Sequence, residues 1–303
     1  MLEKVNFSGW ANTIRLSNQE IEIKILTDVG PRIISLGYKK GQNLFYVSPG
    51  EKGKSGGDQW HLYGGHRLWH SPEEMPRTYS PDNNKVEYSW DGKTLTLSQE
   101  KESLTGLKKE MEITLDDSRN MVTVLHRIIN ENLWEIDISP WAITALAGEG
   151  SAILPQEPYI DPESFLLPAR PLVLWHYTRM NDPRWVWGRK YIQMNDDPDL
   201  KSEQKIGILN KQGWAAYYLN GELFVKLFKY DQRAKYPDYE CNNELYMNGD
   251  FVEVESLGSI QKTPPRGMVE HTEYWTLEKV PVLKGEESID KIVLPIVNSF
   301  RNQ

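Results

Sequence analysis

Apolar and polar residues alternate along most of this chain. Ile14 and Leu16 lie on one face of an extended run, a turn follows near Asn18, and Ile21, Ile23 and Ile25 then recur at every second position, which is the period of a half-buried strand. These two runs predict a hairpin. Val86 to Trp90 and Lys93 to Gln99 flank Asp91-Gly92, and Trp214 to Leu219 and Glu222 to Phe228 flank Asn220-Gly221. Both dipeptides suit a tight primed turn, whose two central positions need positive φ. A polar loop, Asp116 to Asn120, separates Met111 to Leu115 from Met121 to Ile129. Strands joined by short turns pair antiparallel, and helical periodicity is missing over most of the chain, so the layered solution is a large antiparallel β-sandwich. Helix is expected to be minor. Its best candidate is Ser288 to Phe300, with Ile289, Ile292, Val293 and Ile296 at three-to-four spacing; Pro295 interrupts that pattern, and an irregular segment is the alternative.

Two long segments break the rhythm: Val47 to Asn84, rich in Gly, His and Pro, and Ala152 to Asp199, rich in Pro, Trp and Asp. They hold Trp60, Trp69, Trp175, Trp185 and Trp187, whereas linkers are poor in aromatics, so both are expected to fold over the sandwich as site-bearing loops. Large sandwiches often run past about two hundred residues as one unit, so the 303 residues read as a single domain with a C-terminal extension from about residue 279. The 11 Trp, 15 Tyr and 7 Phe supply apolar area for an extended core and for a binding cleft.

Charge narrows the ligand. A formal net charge of -8 argues against a nucleic-acid or anionic-membrane partner, both of which attract clustered Lys and Arg, and favours a neutral small molecule. Cys241 is the only cysteine, so no intrachain disulfide forms. The start, Met1 to Trp10, has no apolar run of signal-peptide length, and nowhere does an apolar stretch of about 18 residues occur. The expectation is a cytoplasmic protein.

Three clusters could carry chemistry. In Trp60-His61-Leu62-Tyr63-Gly64-Gly65-His66-Arg67-Leu68-Trp69-His70, the glycine pair lets backbone approach a ligand, Arg67 offers a fork of donors, and Trp60 or Trp69 can stack on a pyranose. The plainer alternative is a turn and strand with satisfied histidines. His61, His66 and His70 cannot all point one way from a strand, and no HExxH or CxxC spacing occurs, so no metal and no cofactor is expected. In Glu244-Leu245-Tyr246-Met247-Asn248-Gly249-Asp250-Phe251-Val252-Glu253-Val254-Glu255, Glu253 and Glu255 share a face with Phe251 while Val252 and Val254 take the other; the acidic face meets either solvent or a polar cleft. The third cluster runs from Leu174-Trp175-His176-Tyr177 to Asn181-Asp182-Pro183-Arg184-Trp185-Val186-Trp187, with aromatics for stacking, His176 as a candidate proton donor and Asp182 as a candidate hydroxyl acceptor. No serine elbow, P-loop or dinucleotide fingerprint is present. Cys241 beside Asp238 reads as structural rather than nucleophilic.

The opening, Asn12-Thr13-Ile14-Arg15-Leu16-Ser17-Asn18 through Gly30-Pro31-Arg32-Ile33-Ile34-Ser35-Leu36-Gly37 and Asn43-Leu44-Phe45, resembles the galactose-mutarotase-like superfamily. So does the end, Phe251 to Gly258 followed by His271-Thr272-Glu273-Tyr274-Trp275, and the likeness spans roughly residues 12 to 278. The resemblance implies the superfamily's all-β supersandwich and a sugar as ligand. By similarity, Glu255 stands where the family's basic glutamate acts on the anomeric hydroxyl, with Glu253 as its alternate, Arg67 where an arginine holds the sugar, and His66 or His61 where an early histidine does. The family's middle histidine, which protonates the ring oxygen, has no counterpart: the matching strand start reads Ser139-Pro140-Trp141. His176 would have to reach in as the acid. The resemblance therefore implies either an aldose mutarotase, an isomerase of the aldose 1-epimerase kind working by acid-base ring opening, or a non-catalytic sugar-binding or sugar-sensing protein. Arg67, His66, His176 and Glu255 are expected on one concave surface, with Arg67 beside Glu255.

Overall fold

Two antiparallel sheets face one another across an apolar core. The computed structural model describes residues 2–301. Among them the first sheet runs, in spatial order, Leu2–Phe7, Trp10–Ser17, Ile21–Leu26, Arg32–Tyr38, Gly65–Ser71, Ile136–Ala147, Phe251–Leu257, Asn243–Met247, Gln204–Ile208 and Leu172–Leu174, with Gln261–Thr263 paired to the start of Ile136–Ala147. The second runs Trp185–Trp187, Tyr191–Asn195, Ser151–Pro155, Trp214–Leu219, Glu222–Phe228, Met268–Lys279, Met121–Asn130, Leu107–Leu115, Thr94–Ser98 and Glu87–Trp90. The alternation read from sequence explains the core. Ile14, Leu16, Ile21, Ile23 and Ile25 point inward from the first sheet onto Leu95, Leu97, Met111, Ile113 and Val124 of the second, each contributing roughly 1.5–3 kcal/mol of burial.

The turns divide into two kinds. At Asn220-Gly221, φ is 49° and 84° and Leu219 pairs with Glu222, the two-residue primed turn expected from the dipeptide. Asp91-Gly92 differs: only Gly92 has positive φ, and the register Trp90 to Leu95 leaves a four-residue loop. The Asp91 carboxylate accepts the amides of Lys93 and Thr94 at 2.8 and 2.7 Å, so a side chain does what a primed turn would have done with backbone.

The two long segments are loops only in part. Val47 to Asn84 contains the central strand Gly65–Ser71, and Ala152 to Asp199 contains Tyr191–Asn195 and continues Ser151–Pro155. At the C-terminus a short helix, Gly285–Ser288, passes through a π turn at Ile289–Val293 into a helix at Leu294–Arg301. The widened turn lies just before Pro295, whose ring would clash with the carbonyl four residues back in a regular helix. Ile289, Val293 and Val297 pack on Trp214, Leu223 and Val225, so the extension covers the outer face of the second sheet. Among the described residues no helix is long and apolar enough to cross a membrane.

Candidate functional site

The outer face of the first sheet carries a cleft of about 430 Å³ over the strands Gly65–Ser71, Ile136–Ala147, Phe251–Leu257, Asn243–Met247 and Gln204–Ile208. Period 2 decides what points into it. From Gly65–Ser71 come Arg67 and Trp69, from Ile136–Ala147 Trp141 and Ile143, from Phe251–Leu257 Phe251 and Glu253, and from Gln204–Ile208 Lys205. The segments on either side of Gly65–Ser71 add Trp60 and Tyr79, and the long middle segment adds Trp175 and Tyr177. Trp60, Trp69, Tyr79 and Trp141 form an edge-to-face chain with ring centres 4.9–5.5 Å apart, a geometry that locks each ring against its neighbour.

Two ionic groups sit on this aromatic bed. Arg67 donates to Glu253 at 2.9 Å with its guanidinium 4.5 Å from the Trp69 ring centre. Lys205 lies 2.8 Å from Glu244 and 3.1 Å from Glu255, with its ammonium 4.6 and 4.8 Å from the Trp141 and Trp175 rings. Glu244 and Glu255 are directly opposed across two strands, an arrangement of like charges that is unfavourable unless bridged. Burial alone would lower the Lys205 pKa, but the two carboxylates outweigh it and hold the ammonium well above its ordinary pKa. Burial pushes Glu244 well up and Glu253 up, each against the pull of its cation.

Contrary to the expectation from sequence, Arg67 pairs with Glu253 and does not hold Glu255. Arg67, Ile143 and Glu255 lie in one row across three strands, at about 4.8 Å per strand, with the Ile143 side chain between the two charges. One step along, Glu253 faces Ala145, whose small side chain leaves the diagonal open. Glu255 is wholly buried; its Oε2 accepts from Trp141 Nε1 at 2.7 Å and from Lys205. Trp141 thus covers the glutamate, in the Ser139-Pro140-Trp141 run where the sequence offered no histidine.

The other expected site residues scatter. Arg67, Trp69, Trp141 and Glu253 line the cleft. His66, one residue from Arg67, points the opposite way into the sandwich and is wholly buried, so it does not join Arg67 and Glu255 on one surface. His176 is exposed and outside the cleft wall, although its neighbours Trp175 and Tyr177 form part of it. His61 lies 3.3 Å from Glu51, also outside. Asp182 is gripped by Arg184 through two contacts of 2.9 Å, which hold its carboxyl below the usual range and fasten the loop. The Gly64-Gly65 pair serves the chain's own backbone: at Gly65, with φ 66°, a Cβ would land on the Ile33 carbonyl oxygen. Lys205 escaped the sequence reading, and Glu244, although it opens the second cluster, was given no role there. Their only signal was a charge alternating with Ile206 and Leu245 in short apolar runs.

His66, His126 and Glu273 offer donor atoms within 4.8 Å of one another, a spacing at which an ion could be shared. Their hydrogen bonds define a different arrangement. His126 Nδ1 lies 2.9 Å from the His271 carbonyl and must carry a proton, so its Nε2 accepts. His66 Nε2, 2.7 Å away, then donates, and its Nδ1 accepts from Thr144 at 2.8 Å. Glu273 is bound by Lys226 at 2.8 Å, Ser256 at 2.5 Å and Trp275 at 2.8 Å. Burial keeps both histidines neutral, and His271 is pulled down to about 3. The cluster is a satisfied polar layer inside the core.

No protein-family model and no curated protein matches this chain. Solved structures do. A TPR-domain containing protein from Parabacteroides distasonis superposes with a TM-score of 0.59 at 17% identity, covering 90% of this chain, which spans 49% of that one. A galactose mutarotase-like protein from Lactobacillus casei gives 0.59 at 11% identity, with 88% and 100% of the two chains covered. One from Clostridium acetobutylicum gives 0.55 at 10%, with 92% and 99% covered. At such identities the likeness is one of architecture, and this chain has the galactose mutarotase-like fold.

Proposed function

We propose that this cleft binds a sugar without turning it over. The observation that carries the reading is one cavity of monosaccharide size walled by Trp60, Trp69, Trp141 and Trp175 and floored by the Arg67–Glu253 pair. Indole faces take the apolar side of a pyranose, and a guanidinium and a carboxylate complement its hydroxyls. The fold's other members include proteins named for galactose mutarotase, which supports the ligand class. The arrangement around Glu255 argues against ring opening at that residue. A base must reach the anomeric hydroxyl, and this carboxylate is buried beneath Trp141 and held by Lys205.

Titration with a monosaccharide panel, followed by tryptophan fluorescence, tests the reading. A saturable change is expected for at least one aldose, and Trp175→Ala, a change in a half-buried loop residue, should weaken it by roughly tenfold through lost stacking. Polarimetry should show mutarotation at the spontaneous rate in the wild type. Absence of saturation with every sugar sinks the binding proposal, whereas mutarotation that Glu255→Gln abolishes replaces it with the catalytic alternative.

A further inference from the structure

A second cavity of about 410 Å³ adjoins the cleft. Glu73, Tyr79, Trp141 and Trp175 line both, and the second adds Glu74, Asp238 and Glu244. This annex is acidic and lacks a cation of its own. Among the described residues Glu73, Glu74 and Asp238 form no salt bridge, while the nearby ammonium of Lys205 is already committed to Glu244 and Glu255 and Arg67 to Glu253.

Acidic side chains at a rim are ordinary, but Glu244 is not at a rim. It is wholly buried and forms part of the annex wall, Lys205 holds its Oε2 at 2.8 Å, and its Oε1 is offered no N–H or hydroxyl by the protein, so that a proton shared with the adjoining Asp238 carboxyl is its one internal alternative. A buried carboxylate oxygen left open costs free energy that a donor entering the cavity would recover. Asp238 arrives beside it by an unusual route: Asp238, Tyr239 and Glu240 have φ of 49°, 59° and 72°, three successive non-glycine residues in the left-handed region. Ser71 then steadies the Asp238 carboxylate at 3.2 Å. Burial raises the affinity of both Asp238 and Glu244 for a proton, so each gains from a positive neighbour. Trp141 and Trp175, whose rings lie 4.6 and 4.8 Å from the Lys205 ammonium, also line the annex, and indole rings attract cations.

We propose that the annex receives the ammonium group of an amino sugar whose ring lies in the tryptophan cleft. This rests on the sugar-binding reading and names its substrate class. A donor with three N–H groups and a full charge answers the open Glu244 oxygen, Asp238 and Glu73 together, whereas a hydroxyl at the same position offers one donor and no charge. An N-acetyl group removes the charge.

Calorimetric titration with glucosamine, galactosamine and mannosamine, each beside its neutral parent and its N-acetyl derivative, tests this. One amine should bind on the order of tenfold tighter than its parent and its acetylated form, with the preference shrinking as salt is raised. Asp238→Asn should erase most of that preference, weakening the amine far more than its neutral parent. Glu74→Gln, an exposed position, should reduce it without any folding penalty. Parents binding as tightly as amines, or a preference that survives both substitutions, overturns the inference while the sugar reading stands. If neither neutral nor amino sugars bind, both fall.

Discussion

Lys205 bridges two carboxylates that the sheet register forces together, so its removal is the sharpest physical test of the site. In Lys205→Met the stem is kept and the charge is lost. Glu244 and Glu255, both wholly buried and opposed across neighbouring strands, are left facing each other without the ammonium that sits 2.8 and 3.1 Å from them. Breaking a buried pair by deleting one partner costs about 3–5 kcal/mol, and the lost contacts with the Trp141 and Trp175 rings add about 1 kcal/mol. That is a large part of the 5–15 kcal/mol of a typical domain. The pH dependence gives the mechanism away. Glu244 already has its pKa raised by burial against the pull of Lys205; without that pull it rises further. A carboxyl with a folded pKa above its unfolded value of about 4.3 binds an extra proton on folding, so the variant regains stability as the pH falls from neutral towards 4.3. Urea unfolding at pH 7.5 and pH 5 reads this directly. The triple variant Lys205→Met, Glu244→Gln, Glu255→Gln removes all three charges and should recover most of the loss. A single-variant loss below about 1 kcal/mol, or a loss independent of pH, refutes the account.

Other outcomes follow from the same geometry. Trp141→Phe removes the 2.7 Å donor to Glu255 and should cost about 1.5–3 kcal/mol, read by urea unfolding, as expected for a hydrogen bond to a charged group. The buried histidines His66, His126 and His271 of the polar layer, and His70, have depressed pKa values, mainly through burial. Their stabilising contribution is therefore complete above about 6.5 and lost progressively below it, so the urea midpoint should fall between pH 7 and pH 5; a flat profile would count against a neutral core network. Gly65→Ala, at φ 66° against the Ile33 carbonyl, should lower stability by about 1–3 kcal/mol in thermal melts. Burial raises the Cys241 thiol far above its ordinary pKa, so thiol reagents should label it only after denaturation.

Much of the architecture was legible from the chain alone. Ile21, Ile23 and Ile25, or Val252 and Val254 against Glu253 and Glu255, carry the side-chain period in their order, and that period is enough to assign inner and outer faces within a strand. The Asn220-Gly221 turn was readable because its chemistry is local: both residues must enter the left-handed region. Asp91-Gly92 misled for an equally local reason, since an aspartate can cap a longer loop through its side chain.

What alternation cannot supply is the order of strands across a sheet and their offset. His66 and Arg67 were grouped by sequence adjacency, yet adjacency in a strand is what sends two side chains to opposite faces. The pairing of Arg67 with Glu253 required knowing that Ile143 stands in the direct row between Arg67 and Glu255, while the small Ala145 faces Glu253 on the diagonal. Lys205 and Glu244 belong to the site only because Gln204–Ile208 and Asn243–Met247 lie beside Phe251–Leu257. Those neighbours are set by packing between segments far apart along the chain, where the free energy depends on the whole sandwich rather than on any local run of residues. The sequence alone determined which residues share a face within each strand; the tertiary structure alone decided which charged faces were buried, as at Glu244 and Glu255, and which charges met.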